Sequence, residues 1–237
     1  MPIERKGKFL ITEDLGITPS IGIESEHLAQ CIKQTKKKKF LGAFGCPAFG
    51  FFEQDFNFFY ELPFIVQVWF WEIQLADIEG LYALKDLRYF GVSEKRPAVN
   101  FSRFPKLEKL VWHPIKHDSG LAELPELKQL DVWRFKPSDK SYASFRVSDS
   151  IEKLELNWCT PLSLDAMPYL PKLTELQIHY CRNLESVNAI TKFAPNLKRL
   201  VVTRSANLTH YEAINDIEWE HIYINIKGKT IAESRHS

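Results

Sequence analysis

Histidine and carboxylate residues in the middle and second half of the chain are the first candidates for chemistry. His113 and His179 flank Asp131 and Glu155, and imidazole with carboxylate serves both in metal sites and in acid–base catalysis. A third ligand at a convincing spacing does not accompany them, so we interpret these four residues as polar contacts of a binding surface. The stretch "HPIKH", 113–117, has the spacing of a helical zinc motif, but its proline argues against a helix.

Cysteine and glycine give no catalytic or metal-binding motif. The four cysteines, Cys31, Cys46, Cys159 and Cys181, show neither a C-x-x-C spacing nor the pattern of a secreted disulfide framework. The sequence contains no G-x-S-x-G elbow, phosphate-binding glycine loop or H-E-x-x-H helix. We therefore expect a protein without enzymatic activity, cofactor or bound metal.

Tryptophan is the residue type that points to binding. The chain has six tryptophans, and exposed tryptophan, tyrosine and arginine are enriched where proteins bind other proteins. Whether these side chains face solvent depends on the strands and turns that position them.

An apolar repeat predicts those elements. In "LTELQIHYCRNLESV", 173–187, the apolar residues fit the pattern L-x-x-L-x-L-x-x-N/C-x-L, in which a short strand precedes a turn at the Asn or Cys. The template recurs at steps of 19, 23, 20, 24, 22, 24 and 22 residues, starting from Ile65, Leu84, Leu107, Leu127, Ile151, Leu173, Leu197 and Trp219. Its fourth and sixth positions are apolar in every copy: Val68, Phe70, Leu87, Tyr89, Leu110, Trp112, Leu130, Val132, Leu154, Leu156, Leu176, Ile178, Leu200, Val202, Ile222 and Ile224. Cys159 and Cys181 share position nine, where we expect a small buried side chain.

This recurrence resembles the leucine-rich repeat proteins over about residues 60–226. The resemblance implies an α/β leucine-rich repeat solenoid, with a curved parallel β-sheet on its concave face, irregular or 3-10 convex segments and a capped N-terminus. The predicted organisation is an N-terminal α/β cap at residues 1–39, a solenoid of about eight to nine repeats at 40–226, and a C-terminal tail at 227–237. Within the cap, "ESEHLAQCIKQTKKKK" predicts a short amphipathic helix.

The template also predicts which side chains face outward. Because side chains alternate along a strand, positions five and seven lie opposite the buried positions four and six, and position eight lies at the strand end. We expect the binding surface to comprise Trp69, Trp71, Arg88, Phe90, His113, Asp131, Trp133, Arg134, Glu155, Trp158, His179 and Tyr180. A register error of one residue would exchange buried and exposed side chains.

The resulting prediction is a non-catalytic module that binds another protein on its concave face. The chain resembles small free-standing bacterial leucine-rich repeat proteins, some of which resemble immunity proteins, so the resemblance implies a toxin domain as partner. Two alternatives stay open: a glycan or small-ligand binder that uses the tryptophans, and rings that only pack across neighbouring strands. An enzyme using His113, Asp131 and His179 is the least favoured interpretation.

Charge and hydropathy narrow the partners and the compartment. The net charge is only +1, which favours neither nucleic acid nor a membrane surface. The N-terminal residues lack the apolar stretch of a secretory signal, and no apolar run reaches 18 residues. We therefore expect a cytoplasmic protein that is a monomer when free.

Overall fold

The computed structural model describes residues 3–234, which form an α/β fold with a mostly parallel sheet. Thirteen strands follow one another in the sheet in sequence order. They are β1 (Glu4–Lys6), β2 (Phe9–Thr12), β3 (Ser20–Gly22), β4 (Gly42–Gly45), β5 (Gln67–Phe70), β6 (Tyr89–Val92), β7 (Lys109–Trp112), β8 (Gln129–Trp133), β9 (Lys153–Asn157), β10 (Glu175–His179), β11 (Arg199–Thr203), β12 (His221–Ile226) and β13 (Lys229–Glu233).

Helices are short and lie between the strands. The α-helices are α1 (Leu28–Lys38) and α2 (Ile190–Phe193), and 3-10 turns occupy Ser25–His27, Pro47–Phe49, Asn57–Glu61, Glu79–Ala83, Phe101–Arg103, Leu121–Glu123 and Glu212–Asp216. The predicted amphipathic helix is confirmed by α1, which buries Cys31 and Ile32 and ends at Lys39 in left-handed conformation. Within residues 3–234, no helix has the length and apolar character needed to cross a membrane.

The chain divides into two compact units. The first comprises Met1–Val111 and Ile115–Gly120. In it β1, β2 and β3 pair antiparallel, and β3 to β6 then pair in parallel. Behind these strands lies a cluster of phenylalanine rings, in which Phe70 is centred 4.8 Å from Phe51 and 4.9 Å from Phe56. Such ring pairs add about 0.5–1.5 kcal/mol each to the burial of the rings, so this core depends on aromatic packing.

A buried ion pair fixes the turns that follow β6 in the first unit. The Arg96 guanidinium donates to both carboxylate oxygens of Asp118 at 2.9 Å, and the side chains are 0% and 1% exposed. Asp118 also accepts the backbone N–H groups of Val99 and Ile115, at 2.9 and 3.3 Å. A single carboxylate therefore satisfies donors from three separate points of the chain.

The second unit comprises Trp112–Pro114 and Leu121–Ser237. Here β8 to β12 pair in parallel without a register shift. Two rows of side chains run across these strands, Leu130, Leu154, Leu176, Leu200 and Ile222 in one and Val132, Leu156, Ile178, Val202 and Ile224 in the other, and each is at most 8% exposed. The predicted buried positions four and six are thereby confirmed for five repeats. We call the opposite side of the sheet the front face.

Several strands end at a residue with left-handed backbone conformation. Template position eight holds Arg134, Trp158, Tyr180 and Arg204, with φ of 61°, 52°, 58° and 55°. The N–H groups of Trp158 and Tyr180 donate to the carbonyls of His179 and Thr203, at 3.0 and 3.1 Å, so each residue is anchored to the next strand. The following position turns inward, and the cysteines found there, at 159 and 181, are buried free thiols as predicted.

The predicted register of one strand is wrong. Phe90 lies opposite Val68 and is fully buried, whereas Gly91 lies opposite Trp69. The repeat therefore starts at Leu87 rather than Leu84, and the steps become 22 and 20 residues instead of 19 and 23. Both leucines are buried and lie three residues apart, so the template fits either of them.

The predicted C-terminal tail at 227–237 also needs correction. Lys229–Glu233 forms β13, which pairs antiparallel with β12 through a turn at Lys227 and Gly228, both with positive φ. The alternation of "KTIAE" is short, and only the turn residues before it mark the hairpin. Residues 235–237 of that predicted segment lie outside the described residues.

Candidate functional site

Residues 13–18, which we call the covering segment, cross the front face of the first unit. The side chain of Gln67 on β5 holds this segment: its Oε1 accepts the N–H of Ile17 at 2.6 Å, and its Nε2 donates to the carbonyl of Thr18 at 3.3 Å. The same Nε2 donates to Ser20 Oγ at 2.7 Å. Gln67 is fully buried, so its amide recognises main chain that lies on the sheet.

Apolar residues beneath the hairpin close the front face of the first unit further. Leu10, Leu15 and Phe44 form a buried cluster, and Trp69 packs against it. The close approach requires glycine at 22 and 16, because a Cβ at Gly22 would lie 2.8 Å from Leu10. The front face of the first unit is thus largely occupied by the chain itself, which the repeat template did not predict.

Trp69 and Trp71 lie at the edge of this covered region. Their rings stack at 5.6 Å with an interplanar angle of 4°, and both side chains are half-buried. Trp69 also lies over Gly91 of β6, which has no side chain to displace it. Arg88 precedes β6, where its guanidinium pairs with Glu108 at 2.7 Å. The first unit therefore offers only part of the predicted surface.

A continuous row of stacked side chains borders the front face of the second unit; we call it the aromatic ladder. His113 stacks on Trp133 at 5.7 Å, Trp133 lies 5.1 Å from Trp158, and Trp158 stacks on Tyr180 at 4.3 Å. The guanidinium of Arg204 completes the row, 5.0 Å from the Tyr180 ring. Ring faces in the middle of the ladder are covered by neighbouring members, so edges and polar groups meet the solvent.

Left-handed backbone presents part of the ladder. Trp158, Tyr180 and Arg204 stand at strand ends where φ is positive, a conformation in which bulky residues are uncommon. Trp158 is 37% exposed, which is unusual for a tryptophan with ring neighbours on both sides. Backbone strain of this kind is often found at functional sites, where surrounding structure maintains it.

A directed chain of hydrogen bonds lies on the front face beside the ladder. Gln177 Nε2 donates to Glu175 Oε1 at 2.7 Å, which leaves Gln177 Oε1 as the acceptor for His179 Nε2 at 3.1 Å. His179 therefore carries its proton on Nε2, and its Nδ1 accepts from the Thr203 hydroxyl at 2.8 Å. The network fixes the histidine in one tautomer.

Burial and charge set the titration of this network. Burial lowers the pKa of His179 below its ordinary value, and the nearby charge of Glu155 opposes that shift. Burial would raise the pKa of Glu175, but the hydrogen bond from Gln177 and the charges of Lys153 and Arg199 lower it overall. At neutral pH the face therefore combines a neutral imidazole with ionised carboxylates.

Two carboxylates face each other at the centre of the front face. Asp131 and Glu155 are in register on β8 and β9, and side chains so placed on neighbouring strands lie close together. Amides hold them: Gln129 Nε2 donates to Asp131 at 3.1 Å, and Asn157 Nδ2 donates to Glu155 at 2.7 Å. They line a shallow cavity of about 100 Å³ together with Gln129, Lys153, Leu154, Glu175 and Gln177.

The structure brings together most of the predicted site, but not all of it. Seven predicted residues border the front face of the second unit: Asp131, Trp133, Arg134, Glu155, Trp158, His179 and Tyr180. Phe90 must be removed, because it faces the core. His113 is only 3% exposed and packs against Trp133, so its predicted role as a surface contact is also wrong.

Other residues at this site were not among those predicted. Gln129 and Glu175 occupy template position three, Gln177 position five, Asn157 position seven and Arg204 position eight. The alternation rule places all of them on the front face or its border, so the corrected template identifies them without further information. Within residues 3–234, no three His, Cys, Asp or Glu side chains converge as a metal site requires.

Comparison with protein-family models gives no match for this chain, and comparison with curated proteins gives none either. Its function is therefore inferred from geometry and chemistry.

Proposed function

We propose that the chain is a non-catalytic protein-interaction module whose second unit binds a partner protein on the front face. The aromatic ladder is the observation that carries this proposal. It combines a half-exposed tryptophan, a tyrosine and arginines in one row, the residue types that dominate binding energy in protein interfaces. We further propose that the repeats form a leucine-rich repeat solenoid, with the front face as its concave side.

Stacking within the ladder favours a protein partner over a glycan. A sugar ring binds tryptophan through the flat face of the indole, but Trp158 lies between Trp133 and Tyr180. Trp69 and Trp71 cover one face of each other in the same way. The shallow cavity of about 100 Å³ buries little of a small ligand, whereas ligand sites are usually clefts of several hundred Å³.

A capture experiment tests the proposal. Immobilised wild type, Trp158→Ala, Tyr180→Ala and Tyr169→Ala are exposed to lysate of the native host. Tyr169→Ala is the control, because Tyr169 is a 62% exposed aromatic residue of the second unit outside the ladder. We expect one protein to be retained by wild type and control, with affinity about 30-fold lower in each ladder variant, since a hot-spot side chain contributes about 2 kcal/mol.

Equal retention by all four proteins would place the binding surface elsewhere, and circular dichroism checks that the variants fold. The resemblance to immunity proteins leads us to propose inhibition of a toxin as the biological role of such a complex. That role requires the captured partner to have an activity that wild type suppresses and Trp158→Ala does not.

A further inference from the structure

The two units repeat one arrangement of glutamine and tryptophan. β5 and the residue after it read Gln67-Val68-Trp69-Phe70-Trp71, and β8 reads Gln129-Leu130-Asp131-Val132-Trp133. In both, glutamine takes template position three and tryptophan position seven, and the two residues face the same side of the sheet. The difference falls between them, where Trp69 is replaced by Asp131.

The first unit shows what this arrangement binds. The Gln67 amide accepts a backbone N–H and donates to a backbone carbonyl of the covering segment, one residue apart. Leu15 of that segment lies in the apolar cluster against which Trp69 packs. The glutamine thus recognises main chain, and the residue at position five matches the chemistry of the side chain laid above it.

The second unit carries the same amide beside charged rather than apolar groups. Gln129 donates through Nε2 to Asp131, which leaves its Oε1 directed to an incoming N–H. Asp131 and Glu155 replace the apolar surface, and Lys153 and Arg199 lie nearer Glu175, at 3.4 and 3.6 Å. Negative charge therefore concentrates at the middle of the front face.

We infer that the partner places an extended segment across the front face of the second unit, with a lysine or arginine side chain above Asp131 and Glu155. The segment's main chain donates an N–H to Gln129 Oε1, as Ile17 does to Gln67. A cation there relieves the repulsion between two opposed carboxylates and makes charge-assisted hydrogen bonds with them. This inference rests on the proposed function and specifies the chemistry of the partner.

Three capped heptapeptides test it without knowledge of the partner. Each is polyglycine with one central residue, arginine, glutamate or leucine, and binding is followed by ¹H–¹⁵N NMR at the Gln129 side-chain amide and the backbone of Asp131 and Glu155. We expect saturable shifts with the arginine peptide at millimolar concentration, and at least tenfold weaker binding of the other two.

Matched charge variants complete the test. Glu155→Gln keeps the carbonyl oxygen that accepts from Asn157, so the fold is retained, and we expect about tenfold weaker binding of the arginine peptide. Glu123→Gln removes the same charge from an exposed turn and leaves binding unchanged. Absence of saturable shifts, equal binding of the leucine peptide, or a Glu155→Gln effect below twofold would overturn the inference.

These outcomes are distinguishable from those of the capture experiment. A partner lost with Trp158→Ala but retained by Glu155→Gln would support the proposed function and overturn the basic segment. A partner retained equally by all ladder variants would overturn the proposed function, whatever the peptides do.

Discussion

At the scale of single residues, the aromatic ladder combines unfavourable backbone with favourable packing. A non-glycine residue in the left-handed region costs about 1 kcal/mol, and each ring pair returns about 0.5–1.5 kcal/mol. For Trp158, with φ of 52° and rings on both sides, these contributions nearly cancel. The ladder therefore adds little to folding stability, and its side chains can be removed to measure binding.

His179 makes stability depend on pH. Its pKa is lowered in the folded state, mainly by burial, so the unfolded chain binds the proton more readily. Stability from this residue is present above about pH 6.5, the ordinary pKa, and is lost as the pH falls through the lower folded value. We expect urea unfolding between pH 7.5 and 5 to show a larger loss of stability in wild type than in His179→Gln.

The difference between the two proteins isolates His179, since other groups titrate in both. Gln177 and Thr203 contact the imidazole, and Glu155 is the charged group that acts on it. Identical pH profiles for wild type and His179→Gln would show that burial does not shift this histidine.

At the scale of elements, one ion pair holds the turns after β6. Asp118→Asn removes the charge that balances the buried Arg96 guanidinium, and an uncompensated buried charge costs about 3–5 kcal/mol. We expect a decrease of that size in the free energy of unfolding, measured in urea. The control is Asp86→Asn, which removes an exposed pair with Lys106 and should cost less than about 1 kcal/mol. Similar losses in both variants would contradict this account.

The elements also show how far sequence alone predicts the fold. Leucine and valine rows of β8 to β12 follow from the template, because each repeat offers one consistent match. At β6 the template fits both Leu84 and Leu87, and the glycine opposite Trp69 decides between them only when the neighbouring strand is known. The covering segment lies outside any repeat, so periodicity gives no information about contacts such as Ile17 with Gln67.

The predicted site was partly correct for the same reasons. Trp133, Trp158, Tyr180 and their neighbours belong to repeats whose register was right. Phe90 failed with the register of its strand. His113 was assigned to the correct side, but stacking on Trp133 buries it, and alternation does not predict burial by a neighbour.

At the scale of the whole molecule, all four cysteines are buried and free. The thiolate is the reactive form, and the hydrogen bond to Cys159 together with burial raises the pKa of Cys181, while burial raises that of Cys31. We expect no thiol to react with Ellman's reagent within minutes in the native protein, and all four to react in denaturant. Rapid labelling of the native protein would show that one of the two units opens locally.

The reversed direction of β13 bears on how proteins of this kind can lengthen in evolution. Tandem gene duplication preserves the direction of each copied strand. A copy appended beyond β13 would meet an antiparallel neighbour, whereas a copy inserted between β8 and β12 would meet parallel strands with matching buried rows. We therefore expect longer descendants to gain repeats internally, and every inserted repeat would add one more side chain to the ladder.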